Sequence, residues 1–180
     1  MKTASNETLS NNIISHYFGS LLPKVIFYLP TPPIIATDWS ESDPNAAKRL
    51  IEANGNHWRK IIIIICKLVS KELSCWRTIQ NTLFQQNSIA HLPMAIAIVD
   101  QSTEKTIDIK PDSSIIHIIC GKNTFSRFTI ESTLLVSTLS LNQQQTIRYH
   151  QQVFLTPYLD YRQFPNALID LLRPKLHQDR

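Results

Sequence analysis

The chain has 180 residues, 43% hydrophobic and 18% charged, with 18 Lys and Arg against 14 Asp and Glu and a net charge of +4. That length suits one domain around one core, and the mild positive balance falls well short of a dedicated nucleic-acid arm. Only three glycines occur, Gly19, Gly55 and Gly121, far apart in the chain. The dinucleotide fingerprint and the Walker A loop both need several within a few residues, so those two enzyme classes are excluded.

Cys66, Cys75 and Cys120 are odd in number and include no CxxC pair. Neither a disulfide framework nor a four-cysteine zinc site can be assembled from them, and a reducing, cytoplasmic location is expected. The histidines at 16, 57, 91, 117, 150 and 177 never recur three or four residues apart, so no helix-borne metal pair exists; no metal and no cofactor are expected. The first 24 residues lack the continuous apolar stretch of a signal peptide. The apolar run Ile61 to Cys66 is six residues against the roughly 20 needed to cross a bilayer, so no membrane span is expected.

Residues 1–22 read as a polar amino-terminal segment, and 23–180 as a single α/β domain. Ile13, Ile14, Tyr17, Phe18, Leu21 and Leu22 have helical spacing and predict a short docking helix over 10–22. Val25 to Leu29 is β-branched and aromatic and closes on Pro30, Pro32 and Pro33, which predicts a buried strand. Asp43-Pro44 opens a helix with Ala46, Ala47, Leu50 and Ile51 on its apolar stripe, ending at Gly55.

The five isoleucines Ile61 to Ile65 favour a strand, but their flanks do not. Trp58, Ile61, Ile62, Ile65, Leu68, Val69 and Leu73 share one helical face and Lys60, Lys67 and Lys71 another, so 58–73 is read as a helix. Ile63 and Ile64 lie nearer the lysines, and one or the other should be the least buried of the five, with Ile64→Ala costing less than Ile62→Ala or Ile65→Ala. The apolar face meets either the core or a second copy of the chain, which would make a homo-oligomer. Cys75 to Gln86 repeats the helical spacing with Trp76, Ile79, Leu83 and Phe84.

After Pro93 the pattern changes to strands at Met94–Val99, Thr106–Ile109 and Ser114–Cys120, with a short helix beyond Gly121. A further strand over 145–155 and a last helix over 165–172 complete the chain. Strands interleaved with helices predict an α/β fold: a three-layer sandwich with a small, mostly parallel sheet of about four strands and flanking helices.

The densest polar and aromatic cluster is Thr156-Pro157-Tyr158-Leu159-Asp160-Tyr161-Arg162-Gln163-Phe164-Pro165-Asn166, between a strand and the last helix. Loops at the carboxyl ends of parallel strands are where open α/β sheets bind ligands. Tyr158 and Tyr161 offer stacking faces, Asp160 an acceptor, Arg162 a fork for phosphate or carboxylate, and Asn166 an amide. The alternative is a rigid loop in which Asp160 and Arg162 pair with each other or with backbone and the aromatics cover the sheet end. A second cluster, His117, Cys120, Lys122, Asn123 and Arg127, surrounds the turn at Gly121, where Lys122 and Asn123 open a helix and could face an anion. His117 alternates with apolar residues and reads as a core histidine, and Cys120 as a small buried hydrophobe. The third, His57-Trp58-Arg59-Lys60 with Lys67 and Lys71, reads as a solvated helix face beside a buried indole.

Trp58-Arg59-Lys60 with the isoleucines after it, the strand Ile115 to Cys120 with Gly121-Lys122, and above all TPYLDYRQFPN at 156–166 resemble a small bacterial family of uncharacterised proteins. The likeness covers most of residues 25–173 and implies no activity. A fainter resemblance is to the uracil-DNA glycosylase superfamily, on the order of strands and turns. Thr156-Pro157-Tyr158 stands where that superfamily has its His-Pro-Ser loop, and Pro30-Thr31-Pro32-Pro33 lacks a water-activating pattern. The expected function is a binding or interaction protein without catalytic activity, taking an anionic ligand or nucleic acid. The alternative is an enzyme, or a degenerate one, acting on a nucleotide or nucleic acid.

Overall fold

A computed structural model describes residues 13–86 and 88–178. Among them the chain forms seven strands: β1 (Ile14–Gly19), β2 (Val25–Leu29), β3 (Met94–Val99), β4 (Ile116–Cys120), β5 (Ser137–Ser140), β6 (Thr146–His150) and β7 (Val153–Thr156). All seven join one sheet in the order β1-β3-β2-β4-β7-β6-β5. The four central strands, β3, β2, β4 and β7, run parallel. At one edge β1 lies antiparallel to β3, and at the other β6 and β5 continue antiparallel from β7. The expected sheet of about four mostly parallel strands is thus corrected to seven in a mixed sheet. Buried strands announce themselves as continuous apolar runs, as in β2 and β3, where every residue is buried. The edge strands carry weaker signals.

Two of the edge strands explain particular misreadings. Residues 14–19 pair with β3 as a strand instead of forming the docking helix expected over 10–22. The helical spacing of their apolar residues is overridden by backbone bonds to an open sheet edge; the pairing has a register shift between Ile14 and His16, and Ile13 and Phe18 join the cores on opposite faces of the sheet. The rest of that expected helix, residues 10–12, lies outside the described residues. Residues 145–155 are not one strand but the hairpin β6–β7, reversed at Gln151, whose φ is +49°. Residues 106–109 form no strand; Ile107 makes a lone bridge to Phe128. Strand β5, Ser137-Thr138-Leu139-Ser140, was not anticipated, because its alternation is carried by one leucine.

Four helices complete the elements among the described residues: α1 (Ala46–Val69), α2 (Trp76–Ile79), α3 (Lys122–Phe125) and α4 (Asn166–Leu176). The two expected helices around Gly55 abut within α1, which is broken at Gly55 with φ +64° and ψ −149°. That backbone region is essentially reserved for glycine, so the residue read as a helix stop acts as a sharp joint. The Asp43 carboxylate accepts the Asn45 N–H at 2.8 Å and pairs with Arg49 at 3.0 Å, fastening the start of α1. The helix expected over 75–86 shrinks to the single turn α2 between 3-10 turns. Thr78 and Thr82 there donate their hydroxyls to the carbonyls of Cys75 and Ile79, a local bonding that competes with a regular helix.

Strand order sets the layers. The chain moves from β2 to β3 on one side, then from β3 back across β2 to β4, so right-handed crossovers must fall on opposite faces. On the first face α1, α2 and α4 pack onto Phe27, Leu29, Ile96, Ile98, Ile118 and Phe154. The opposite face, Ile26, Tyr28, Ala95, Ala97, Ile119 and Val153, is covered by Ile107, Ile109, Phe128, Ile130 and Leu135. That cover is largely irregular, with α3 and a 3-10 turn at Ser132–Leu134 as its helical elements, so the expected sandwich of flanking helices holds on one side.

Ile61, Ile62, Ile64 and Ile65 are all buried within this core and Ile63 is half-buried. The expectation of low burial therefore holds at Ile63 and fails at Ile64, because α2 and α4 pack against α1 beyond its sheet-facing side. The run faces the protein's own core. Among the described residues no helix is long and apolar enough to cross a membrane.

Candidate functional site

The direction of strand order reverses at β2, with β3 on one side and β4 on the other. In open sheets of this kind the carboxyl ends of the strands around the reversal form the usual ligand crevice. Those ends lead into Pro30-Thr31-Pro32-Pro33 after β2, Gly121-Lys122-Asn123 after β4 and Thr156 onward after β7.

Strand register brings the two clusters side by side. Cys120 pairs with Thr156, and the Gly121 N–H donates to the Thr156 carbonyl at 2.9 Å. Gly121 has φ +89°, and a Cβ there would lie 3.7 Å from the Tyr158 ring. Tyr158 thus leans over the Gly121 turn. Its hydroxyl lies 2.7 Å from His57 Nε2, with the two rings stacked at 5.7 Å. Burial, then the neighbouring Cys120 and Asp160, raise its pKa above the ordinary 10.0.

Beside this pair Lys60 Nζ meets Asp160 Oδ2 at 2.6 Å, with both side chains about one-fifth exposed (21% and 22%). The other carboxylate oxygen accepts the Arg162 N–H at 3.0 Å. The Lys60 ammonium first, and then that N–H, hold the Asp160 carboxyl below its ordinary 3.8. The Asp160 carbonyl accepts the N–H groups of Gln163 and Phe164, which closes the turn into α4. Asp160 is therefore a tied acceptor, bonded to the Lys60 ammonium and to the Arg162 backbone N–H and not to the Arg162 guanidinium.

Tyr161 is exposed with Lys60 Nζ 5.9 Å from its ring centre, and the Asn166 side-chain carbonyl accepts from Lys67 at 2.8 Å. Arg162 is exposed, and among the described residues its guanidinium donates no hydrogen bond; its own carbonyl is held by Gln145. Lys122 and Asn123 are exposed on α3, and their side chains share no hydrogen bond with Asp160 or Arg162. The helix that was expected to present an anion-binding terminus is one turn long, too short for an appreciable dipole.

Sequence reading set His57 and Lys60 aside as a solvated face, yet they hold Tyr158 and Asp160 from α1, about 100 positions away. The signal that could have found them was their spacing, three residues apart on a helix facing the strand ends. The other three groups of the Gly121 cluster, His117, Arg127 and Cys120, have internal roles. His117 is buried, receives or donates one hydrogen bond with the Tyr28 hydroxyl at 2.9 Å, and has its pKa pushed down to about 4 by burial. Arg127 spends its guanidinium on the carbonyls of Thr103 and Gln101. Burial pushes the Cys120 thiol up to about 12, which leaves it neutral and a poor nucleophile.

A parallel centre reversed at its first strand, helices on one face and polar loops at the carboxyl edge define an open α/β domain. The chain belongs to a family of unknown function (DUF6942), which matches residues 16–177. No curated protein and no solved structure matches the chain, so the likeness to the uracil-DNA glycosylase superfamily finds no support.

Proposed function

We propose that this domain is a binding protein whose ligand is an anion, held at the carboxyl edge where the Gly121 turn adjoins the 156–166 loop. The observation that supports this is an imbalance of charge. Asp160, the one acidic residue of 156–166, is paired with Lys60, while the Arg162 guanidinium and the Lys122 ammonium stand exposed and form no ion pair among the described residues, Arg162 acting on Asp160 only as a weaker neighbouring charge. Arginine presents paired donors that fit phosphate or carboxylate, and the stacked His57–Tyr158 rings belong to the same carboxyl-edge cluster. A reaction would need an activated nucleophile or a poised acid and base; Asp160 is held low and Cys120 held high, which favours binding over catalysis.

Fluorescence polarisation with labelled short single- and double-stranded DNA, competed by inorganic phosphate, tests the reading. The expected result is saturable binding that weakens with salt, with Arg162→Ala lowering the salt slope by about one. Binding equal in the wild type and in the Arg162→Ala, Lys122→Ala double variant would overturn it, as would turnover of a nucleotide in the same samples.

A further inference from the structure

A second cleft lies at the opposite edge of the sheet, by the amino ends of the parallel strands. Register places it there: Gly19, at the end of β1, pairs with Ala95 at the start of β3, and Ser20 N–H donates to the Met94 carbonyl at 2.7 Å. The cleft is an open groove of about 580 Å³ lined by Tyr17, Gly19, Leu21, Glu41, Phe84 and Gln86, with Leu21 75% exposed at its rim.

Its walls are fastened by side chains from distant parts of the sequence. Gln86 donates to the Gly19 carbonyl at 2.7 Å and accepts from the Leu21 N–H at 2.9 Å, so its amide holds residues 19–21 as a neighbouring strand would. Glu41 Oε2 accepts the Gly19 N–H at 2.7 Å. Beneath, Phe84 packs edge-on against Trp39 at 5.8 Å, and Trp39 against Phe18 at 5.6 Å, giving a firm apolar floor.

One group in the cleft is left with unused capacity. Glu41 is half-buried, no Lys or Arg lines the cleft, and among the described residues its second oxygen, Oε1, accepts no hydrogen bond. Partial desolvation penalises the charged form of the Glu41 carboxylate, and a bound cation would offset that penalty. Ser40 and Ser42, whose hydroxyls bond each other at 2.8 Å, stand beside it as further acceptors. From this geometry we infer that the cleft binds a small primary amine with an apolar or aromatic body, its ammonium on Glu41 and its body against Phe84 and Leu21. An ammonium carries three donors and no acceptor, which suits the Glu41 carboxylate, and Ser40, Ser42, Tyr17 and Phe84 line the same cleft. Burial raises the Glu41 carboxyl above its ordinary 4.5, the direction that a bound cation reverses. This site is independent of the anion site at the other edge.

Titration of the isotope-labelled full chain with 2-phenylethylamine, followed by amide NMR, tests the inference. Saturable shifts are expected at Gly19, Leu21 and Gln86, with the Gly121 and Asp160 amides unmoved. Phenylacetate and 2-phenylethanol, which share the ring but not the ammonium, should bind about tenfold more weakly or not at all, as expected for loss of a charge-assisted hydrogen bond. Glu41→Gln keeps an acceptor for Gly19 and should weaken the amine by a similar factor. The comparison of the three probes on the wild type needs no variant and stands even if Glu41→Gln fails to fold. Absence of saturable shifts, equal affinity for amine and carboxylate, or an unchanged affinity in a folded Glu41→Gln would each overturn it.

Discussion

His57 and Tyr158 lie 101 positions apart in the chain and meet through a 2.7 Å hydrogen bond between the ring nitrogen and the hydroxyl. The contact ties α1 to the loop that follows β7 and sets the Tyr158 ring over Gly121. Tyr158→Phe keeps the ring and removes the bond, so the domain should lose about 0.5–1.5 kcal/mol in urea denaturation. In a double-mutant cycle His57→Ala should cost less in the Tyr158→Phe background than in the wild type. Purely additive losses would show that the two rings are neighbours without energetic coupling.

Asp160 and Arg162 make opposite predictions within three residues. Asp160→Asn breaks a contact with Lys60 and weakens the turn, whereas Arg162→Ala removes a side chain that no described residue holds. Thermal melts should show a lower Tm for the first and an almost unchanged Tm for the second. Since the Asp160 pKa is lowered in the folded state, its contribution is present above the unfolded pKa near 3.8 and is lost as pH falls through the lower folded value. Below pH 4 the gap between wild type and Asp160→Asn should therefore narrow.

His117 has its pKa lowered to about 4 from an ordinary 6.5, because charging a buried imidazole is costly. The unfolded chain then binds the proton more readily than the folded one, and stability falls as pH drops from 6.5 towards 4. The full linkage is worth about 3 kcal/mol at most. Stability measured by urea melts across that window should slope for the wild type, and His117→Gln should flatten the slope. A wild-type profile level between pH 4 and 6.5 would contradict the buried neutral histidine.

The isoleucine run offers a graded test of packing. Ile62→Ala, Ile64→Ala and Ile65→Ala each empty a fully buried position and should cost about 2–5 kcal/mol. Ile63→Ala, at the half-buried position, should cost clearly less. Denaturation midpoints of the four variants separate this pattern from one in which the helix buries a single stripe.

Much of the architecture is a local property of the amino-acid string. Val25 to Leu29 and Met94 to Val99 are apolar without interruption and Ile116 to Cys120 is broken only by the buried His117, a pattern that suits a strand covered on both faces, and all three lie at the parallel centre. The α/β class, the long helical region on either side of Gly55 and the final helix follow from periodicity and from the placement of proline and glycine. Tertiary structure alone decided that residues 14–19 form a strand, because the open edge of β3 supplies the backbone partners that a local helix would otherwise provide. It also decided the burial of Ile64, through packing by helices whose positions no local pattern encodes. The carboxyl-edge cluster shows both sides of this division. Tyr158, Asp160 and Arg162 stand out in the sequence for their density, but His57 and Lys60 gain their partners only when α1 folds back along the sheet. The amino-edge cleft was invisible for the same reason: Glu41, Gly19 and Gln86 are ordinary residues until long-range pairing brings them together around one half-buried carboxylate.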